Sequence, residues 1–174
     1  TRARLLPCMG MLLPDILHRL VPELDQERMK PILEEVLSEE NAYVAAHGGV
    51  LYPEVEQTLA ALSARCPLFL VSNCQDGYIE AFFQAHGLGR YFTDYENLGR
   101  TGLPKADNIA LVAERNGLRR PLYIGDTQGD YDAASKAGVP FLHAAYGFGR
   151  IDRPVPSVAT FGDLPDAIRR LTPP

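Results

Sequence analysis

Residues 122–142 read LYIGDTQGDYDAASKAGVPFL, and their order decides the fold. A short apolar run, Leu122-Tyr123-Ile124, gives way to Gly125-Asp126; a stretch with helical spacing follows and stops at Gly138; a second apolar run, Val139-Pro140-Phe141-Leu142, closes the unit. Short apolar runs bounded by turn residues predict buried strands. A glycine without Cβ suits the left-handed position just past a helix end. Strand, helix and strand in that order predict parallel pairing through a right-handed crossover.

The same rhythm extends upstream. Leu68-Phe69-Leu70-Val71 is a further apolar run, and the intervening helices are predicted to stop at Gly87 and Gly117. Nearly unbroken apolar runs are expected where helices cover both faces of a parallel sheet. Pro53 opens another helix, whose Val55, Leu59 and Leu62 form one apolar stripe. Ahead of Gly48-Gly49 the pattern is all helical, most clearly at Met29, Ile32, Leu33, Val36 and Leu37. The chain therefore divides into a helical block over residues 1–48 and an α/β unit with a parallel sheet over residues 49–174, with a hinge near His47 to Gly49. No internal repeat or low-complexity tract interrupts it.

The bulk numbers exclude several function classes. With 174 residues, 46% of them hydrophobic and 22% charged, the chain is expected to fold around a real core. A formal charge of -5 offers no basic field for nucleic acid, although a local positive pocket for a small anion is compatible with it. No stretch approaches the roughly 18 consecutive apolar residues of a membrane span, and Thr1-Arg2-Ala3-Arg4 leads into no signal-peptide pattern. Cys8, Cys66 and Cys74 are odd in number and form no CxxC pair, so a reducing cytoplasm is the default expectation. His18, His47, His86 and His143 show no ligand spacing. The chain begins without methionine and runs directly into an amphipathic pattern, as a truncated chain would.

In parallel sheets ligands bind beyond the carboxyl ends of the strands, so the polar residues after each apolar run are the candidates for chemistry. Ser72 follows one strand and could offer its hydroxyl, with neighbouring amides, to a phosphoryl oxygen; it equally reads as a turn and helix cap beside Asn73. Lys105 stands at a helix start, where a cation opposes the helix dipole, so it could instead neutralise phosphate charge, or it could be a solvated surface lysine. Asp126 and Asp130 would make a hard oxygen site suited to Mg²⁺, which takes few protein ligands and keeps waters. Their alternative is structural, Asp126 capping the next helix and Asp130 sitting in its first turn. Asp132 reads as surface, Cys74 as a small buried filler, and Tyr146 and Phe148 as core or crevice lining, with core favoured.

These residues resemble the haloacid dehalogenase superfamily, in its phosphoglycolate-phosphatase and β-phosphoglucomutase-like branch with a helical cap. Val71-Ser72-Asn73 looks like the second motif of that family, Lys105 like the third, and Gly125-Asp126-Thr127-Gln128-Gly129-Asp130 like the fourth, followed by Ala133-Ala134-Ser135-Lys136-Ala137-Gly138 and Tyr146-Gly147-Phe148-Gly149. The resemblance implies a Rossmann-like core with a partial helical cap over residues 1–48. It also implies an Mg²⁺-dependent phosphatase acting on a small phosphorylated metabolite through an aspartyl-phosphate. By resemblance, Ser72 would bind the transferring phosphoryl group, Asn73 would contribute through its backbone or amide, the catalytic Lys105 would hold both phosphate and nucleophile, and Asp126 would ligate the metal. Asp130 would support the metal shell, directly or through water, or orient Lys105.

One departure is serious. The family attacks phosphorus with the first aspartate of a DxDGT-like motif, and no aspartate of this chain sits in such a motif. The natural protein is therefore expected to extend upstream by a strand, turn and helix, and the chain as it stands is expected not to turn over. The alternatives are a catalytically inactive phosphate-binding or regulatory module and a phosphomutase. A phosphonatase would need an imine-forming lysine in the helical block, where Lys30 is the sole lysine and reads as surface.

Overall fold

The computed structural model describes residues 2–171; Thr1 and residues 172–174, which the two units included, lie outside the described residues. Before Gly48 the backbone is helical as expected: α1 (Arg2–Leu5) runs into a 3₁₀ turn, followed by α2 (Leu13–Leu20) and α3 (Gln26–His47). Asp25 caps α3 by accepting from the Arg28 amide at 2.8 Å. Gly48, at φ 62°, ends it. The second part alternates α4 (Val55–Ser63), β1 (Leu68–Ser72), α5 (Tyr78–His86), β2 (Phe92–Asn97), α6 (Leu98–Thr101), α7 (Lys105–Arg115), β3 (Tyr123–Gly125), α8 (Gln128–Lys136), β4 (Phe141–Ala144), β5 (Ser157–Val158) and α9 (Leu164–Leu171). Gly87, Gly117 and Gly138 all take positive φ just past helix ends, the conformation that their missing Cβ permits.

The five strands form two parallel sheets, β1 with β2 and β3 with β4 and β5. Parallel pairing aligns the carboxyl ends, so Ser72 stands opposite Asn97 and Gly125 opposite His143. The stripe on α4 ties the sheets together: Val55 and Leu59 pack in one apolar cluster and Leu62 in the other, while Leu68 and Phe161 touch both. Burying each such side chain contributes about 1.5–3 kcal/mol. A side chain also spans the two sheets, the Tyr123 hydroxyl donating to the Val71 carbonyl at 3.2 Å.

Two features differ from the sequence expectation. Leu68–Ser72 and Tyr123–Gly125 are only half-buried, whereas Phe141, Leu142 and Ala144 on β4 are buried. The reason is lateral. β1 and β3 each hydrogen-bond to a strand on one side only among the described residues, so solvent reaches them as it reaches edge strands. In addition, β2 and β5 carry no apolar run. β2 reads Phe92-Thr93-Asp94-Tyr95-Glu96-Asn97, and its buried Glu96 is neutralised by Arg100 and Arg115 at 2.9 and 2.8 Å.

Glu54, which precedes α4, is the one non-glycine residue with positive φ among the described residues, at 64°. Crowding of Cβ there costs roughly 1–2 kcal/mol, against about 0.5–1 kcal/mol of extra chain entropy that a glycine would lose on folding. Glu54→Gly is therefore expected to raise stability by about 0.5–1 kcal/mol, read as a higher urea midpoint at unchanged slope. An unchanged or lower midpoint would mean that the hydrogen bond from Gln57 to the Glu54 carboxylate, 2.7 Å long, outweighs the strain.

Candidate active site

The loop from β3 to α8 sorts two aspartates into different environments. Thr127 is the N-cap of α8: its hydroxyl accepts from the Asp130 amide at 3.2 Å, and Asp130 reaches back to the Thr127 amide at 3.0 Å, a reciprocal capping box. Asp126 is therefore not the cap. Asp130 Oδ2 also accepts from the Asp126 amide at 3.1 Å and from the Thr127 hydroxyl at 2.8 Å, while Oδ1 accepts from Lys105 Nζ at 2.6 Å. Both partners of that ion pair are shielded, with side chains 14% and 7% exposed. Burial pushes the Asp130 carboxyl up, but Lys105 and the Thr127 donors outweigh it and hold the group below the ordinary carboxylate range. Gly125 makes the approach possible, since a Cβ there would lie 2.5 Å from that of Asp130.

Asp126 is held from the other side. Its Oδ2 accepts from the Phe148 amide at 2.7 Å, and a Cβ on Gly147 would overlap the Asp126 side chain. The Tyr146-Gly147-Phe148-Gly149 stretch thus wraps this carboxylate. Tyr146 packs into the core as expected, but Phe148 does not: it is exposed. Burial, together with the nearby Tyr52 and the charge of Asp126, pushes the Tyr146 phenol up to about 12. Tyr123 is pushed up as well, by burial first and then by Asp130 and Asp126. Both phenols therefore stay neutral beside the carboxylates.

Ser72 and Asn73 lie at the carboxyl end of β1, and Lys105 reaches Asp130, which follows the carboxyl end of β3. Ser72 Oγ accepts from the Cys74 amide at 3.2 Å, which leaves its own proton to donate. The helix that follows starts only at Tyr78, so the amides near Ser72 belong to a loop and not to a helix end. Cys74 is half-buried; burial pushes its thiol up, against the pull of the Ser72 hydrogen bond and, more weakly, of Lys105. Asn73 Nδ2 donates to the Gly10 carbonyl at 3.3 Å, and a Cβ on Gly10 would lie 3.3 Å from Thr127 Cγ2. One residue of the helical block therefore touches both the Ser72 loop and the Asp126 loop. Asp132 is at the surface and accepts from Gln128 Nε2 at 2.8 Å.

Among the described residues no group of three or more His, Cys, Asp or Glu side chains could hold a metal. Asp126 accepts through Oδ2 from the Phe148 amide, whereas Asp130 meets four donors on its two oxygens. One carboxylate fits Mg²⁺, which keeps several waters and binds through one or two carboxylates, better than it fits an all-protein cage. The opposite ends of β3 and β4 carry a concavity of about 550 Å³ lined by residues including Arg119, Leu122, Pro140 and Phe141; none of the candidate residues lies there. Reading the sequence missed Thr127, Tyr123 and Gly147. Only Thr127 had a usable signal, its Thr-x-x-Asp spacing to Asp130.

Known proteins resemble this chain in sequence and in fold. The sequence model of the haloacid dehalogenase-like hydrolase family matches residues 1–144. The phosphoglycolate phosphatase of Escherichia coli (strain K12) is 32% identical over 135 residues, 72% of this chain and 52% of that protein. That of Salmonella typhimurium is 30% identical over the same length. The chain spans about half the length of the curated relatives it matches. A haloacid dehalogenase-like family hydrolase from Streptococcus pneumoniae shares the fold with a TM-score of 0.81 at 18% identity, over 95% of this chain and 80% of that one. The L-2-haloacid dehalogenase of Xanthobacter autotrophicus matches with a TM-score of 0.60 at 22% identity, over 70% and 62%. No helix of the described residues is long and apolar enough to cross a membrane.

The ion pair has a measurable pH signature. With its folded pKa below the unfolded value of about 3.9, Asp130 contributes stability that is fully present above that pH and lost as pH falls through the folded pKa. Lys105→Met removes the main lowering influence and leaves burial, so the folded pKa rises. The variant is expected to lose about 3 kcal/mol at neutral pH, with the deficit narrowing as pH falls from the variant's raised folded pKa to the parent's lowered one. A deficit constant with pH in denaturant titrations would show that the lysine acts through packing alone.

Proposed function

We propose, from the premise that this chain belongs to the haloacid dehalogenase-like hydrolase family, that it carries the phosphate and metal site of an Mg²⁺-dependent phosphatase for a small phosphate monoester. The supporting observation is the shielded Lys105–Asp130 pair beside an uncommitted Asp126 oxygen and the Ser72 hydroxyl. The relatives at 30–32% identity are phosphoglycolate phosphatases, which favours a small acidic metabolite as substrate.

In this reading Lys105 neutralises a phosphoryl oxygen while Ser72 donates its hydroxyl proton to another, and Asn73 orders the loop between them. Donors already aimed where charge develops need no reorganisation during reaction. Asp130 keeps the ammonium in place, since both of its oxygens are occupied. Asp126 holds Mg²⁺, which when bound would offset charge on the transferring group. The nucleophile is an aspartate on a strand upstream of Thr1, attacking phosphorus in line and leaving an aspartyl-phosphate for water to hydrolyse. The half-buried facing strands β1 and β3 support such a strand lying between them. The chain by itself is then inactive.

Residues 1–48 are the cap in this proposal and residues 49–174 the core. The contact of Gly10 with both catalytic loops supports a cap that closes over substrate and excludes water. Cys8, Cys66 and Cys74 are free thiols, in keeping with a cytoplasmic protein.

The test is hydrolysis of a panel of phosphate esters by the full-length protein across an Mg²⁺ titration, with and without Asp126→Asn. The parent is expected to require Mg²⁺, and the variant to lose about 10²-fold or more in kcat/KM. Metal-independent turnover by the parent, or undiminished turnover by the variant, would overturn the proposal.

A further inference from the structure

Asn97 and Asn108 are fully buried, at 0% exposure, and neither has a part in the chemistry proposed above. A buried amide is costly unless it is hydrogen-bonded, so where their bonds go is informative. Both converge on one short segment, residues 97–103. Asn97, the last residue of β2, accepts from the Arg100 amide at 2.8 Å and so caps α6. Thr101, the last residue of α6, places its hydroxyl 3.0 Å from the Asn97 carbonyl and 2.9 Å from Asn108 Oδ1, and accepts from the Leu103 amide at 3.1 Å. Asn108 Nδ2 donates to the Leu103 carbonyl at 3.0 Å.

This segment joins the two phosphate-facing groups. On one side the Gly99 amide donates to the Cys74 carbonyl at 3.1 Å, and a Cβ on Gly99 would overlap the backbone of Gln75 and Asp76. The segment is thus packed backbone to backbone on the loop that follows Ser72. On the other side Leu103 leads through Pro104 to Lys105, the first residue of α7. No side chain caps α7, because its N-cap is Pro104. The start of that helix, where Lys105 sits, therefore lacks the usual local anchor. Asn108, one turn further along the helix, supplies one by gripping Leu103 and Thr101.

We infer that Asn108 and Thr101 are positioning residues that set the spacing between the Ser72 hydroxyl and the Lys105 ammonium across one phosphoryl group. This inference rests on the phosphatase reading above. Neither residue touches substrate. Their effect falls on the geometry in which phosphorus is attacked, where a displacement of about 1 Å costs on the order of 10²-fold in rate, and much less on ground-state binding.

The experiment is steady-state kinetics of the full-length protein on its best phosphate ester, with Asn108→Ala, Thr101→Val and Thr101→Ser compared with Lys105→Met. Thr101→Val exchanges a hydroxyl for a methyl of similar size, so it keeps the packing if Asn108→Ala fails to fold; circular dichroism identifies the folded variants. Folded Asn108→Ala and Thr101→Val are expected to lose about 10²-fold in kcat with KM changed less than about threefold, and Thr101→Ser to stay within about threefold of the parent. The inference is overturned if folded Thr101→Val keeps kcat within about threefold, if KM rises as much as kcat falls, or if serine fails as valine does. Loss of activity in Lys105→Met alongside active Thr101→Val rejects only this inference, whereas an active Lys105→Met rejects the phosphatase reading itself.

Discussion

The site depends on a buried ion pair between residues 25 positions apart in sequence, Lys105 Nζ and Asp130 Oδ1 at 2.6 Å. Taking two charges out of water costs several kcal/mol per ion, so such a pair persists only when its remaining valences are satisfied. For Asp130 they are: three donors from the β3 to α8 loop occupy the second oxygen. The pair joins the first residue of α7 to the first turn of α8. An apolar pair of similar volume would hold those helices together at least as well. A buried pair of this kind is therefore weak evidence for stability on its own.

A second constraint comes from the sheet. Its two halves are held by the α4 stripe and by the Tyr123 hydroxyl on the Val71 carbonyl, with no ladder between them among the described residues. Both candidate loops leave from the strands that flank this junction, so anything that moves β1 relative to β3 moves Ser72 relative to Asp126. The helical block reinforces the arrangement. Gly10 meets Asn73 and Thr127, while Asn41 donates to the Asp76 carbonyl at 2.8 Å and Gln75 donates to Glu40 at 2.8 Å. The Ser72 loop is thus gripped at both ends by the same helical unit, which couples that unit's position to the geometry of the loop.

What the sequence made legible follows the burial pattern. The runs at residues 68–71, 122–124 and 139–142, the stripe on α4 and the helix stops at Gly87, Gly117 and Gly138 all carry signals of hydrophobic period or of φ. β2 was illegible because its inward polar residue, Glu96, is neutralised by two arginines that lie apart along the chain, Arg100 and Arg115, and pairing of that kind leaves no periodic trace. β5 has two residues, too few for any period. At the site, residue type and strand-end placement pointed to Ser72, Lys105, Asp126 and Asp130. The supporting groups did not announce themselves, because Asn108, Tyr123 and Gly147 act through contacts with partners remote in sequence.

The two aspartates show why local chemistry, and not residue type, divides the work. Asp126 and Asp130 are four residues apart and identical as side chains, and either could have capped α8. Thr127 takes the cap and thereby commits Asp130 Oδ2 to the backbone of its own loop. Once that oxygen is fixed, the other points at Lys105. Asp126 is released from the helix by the same event and is turned toward the Phe148 amide, into space that only a glycine at position 147 leaves open. One threonine hydroxyl and one missing Cβ are therefore enough to give two like carboxylates different partners.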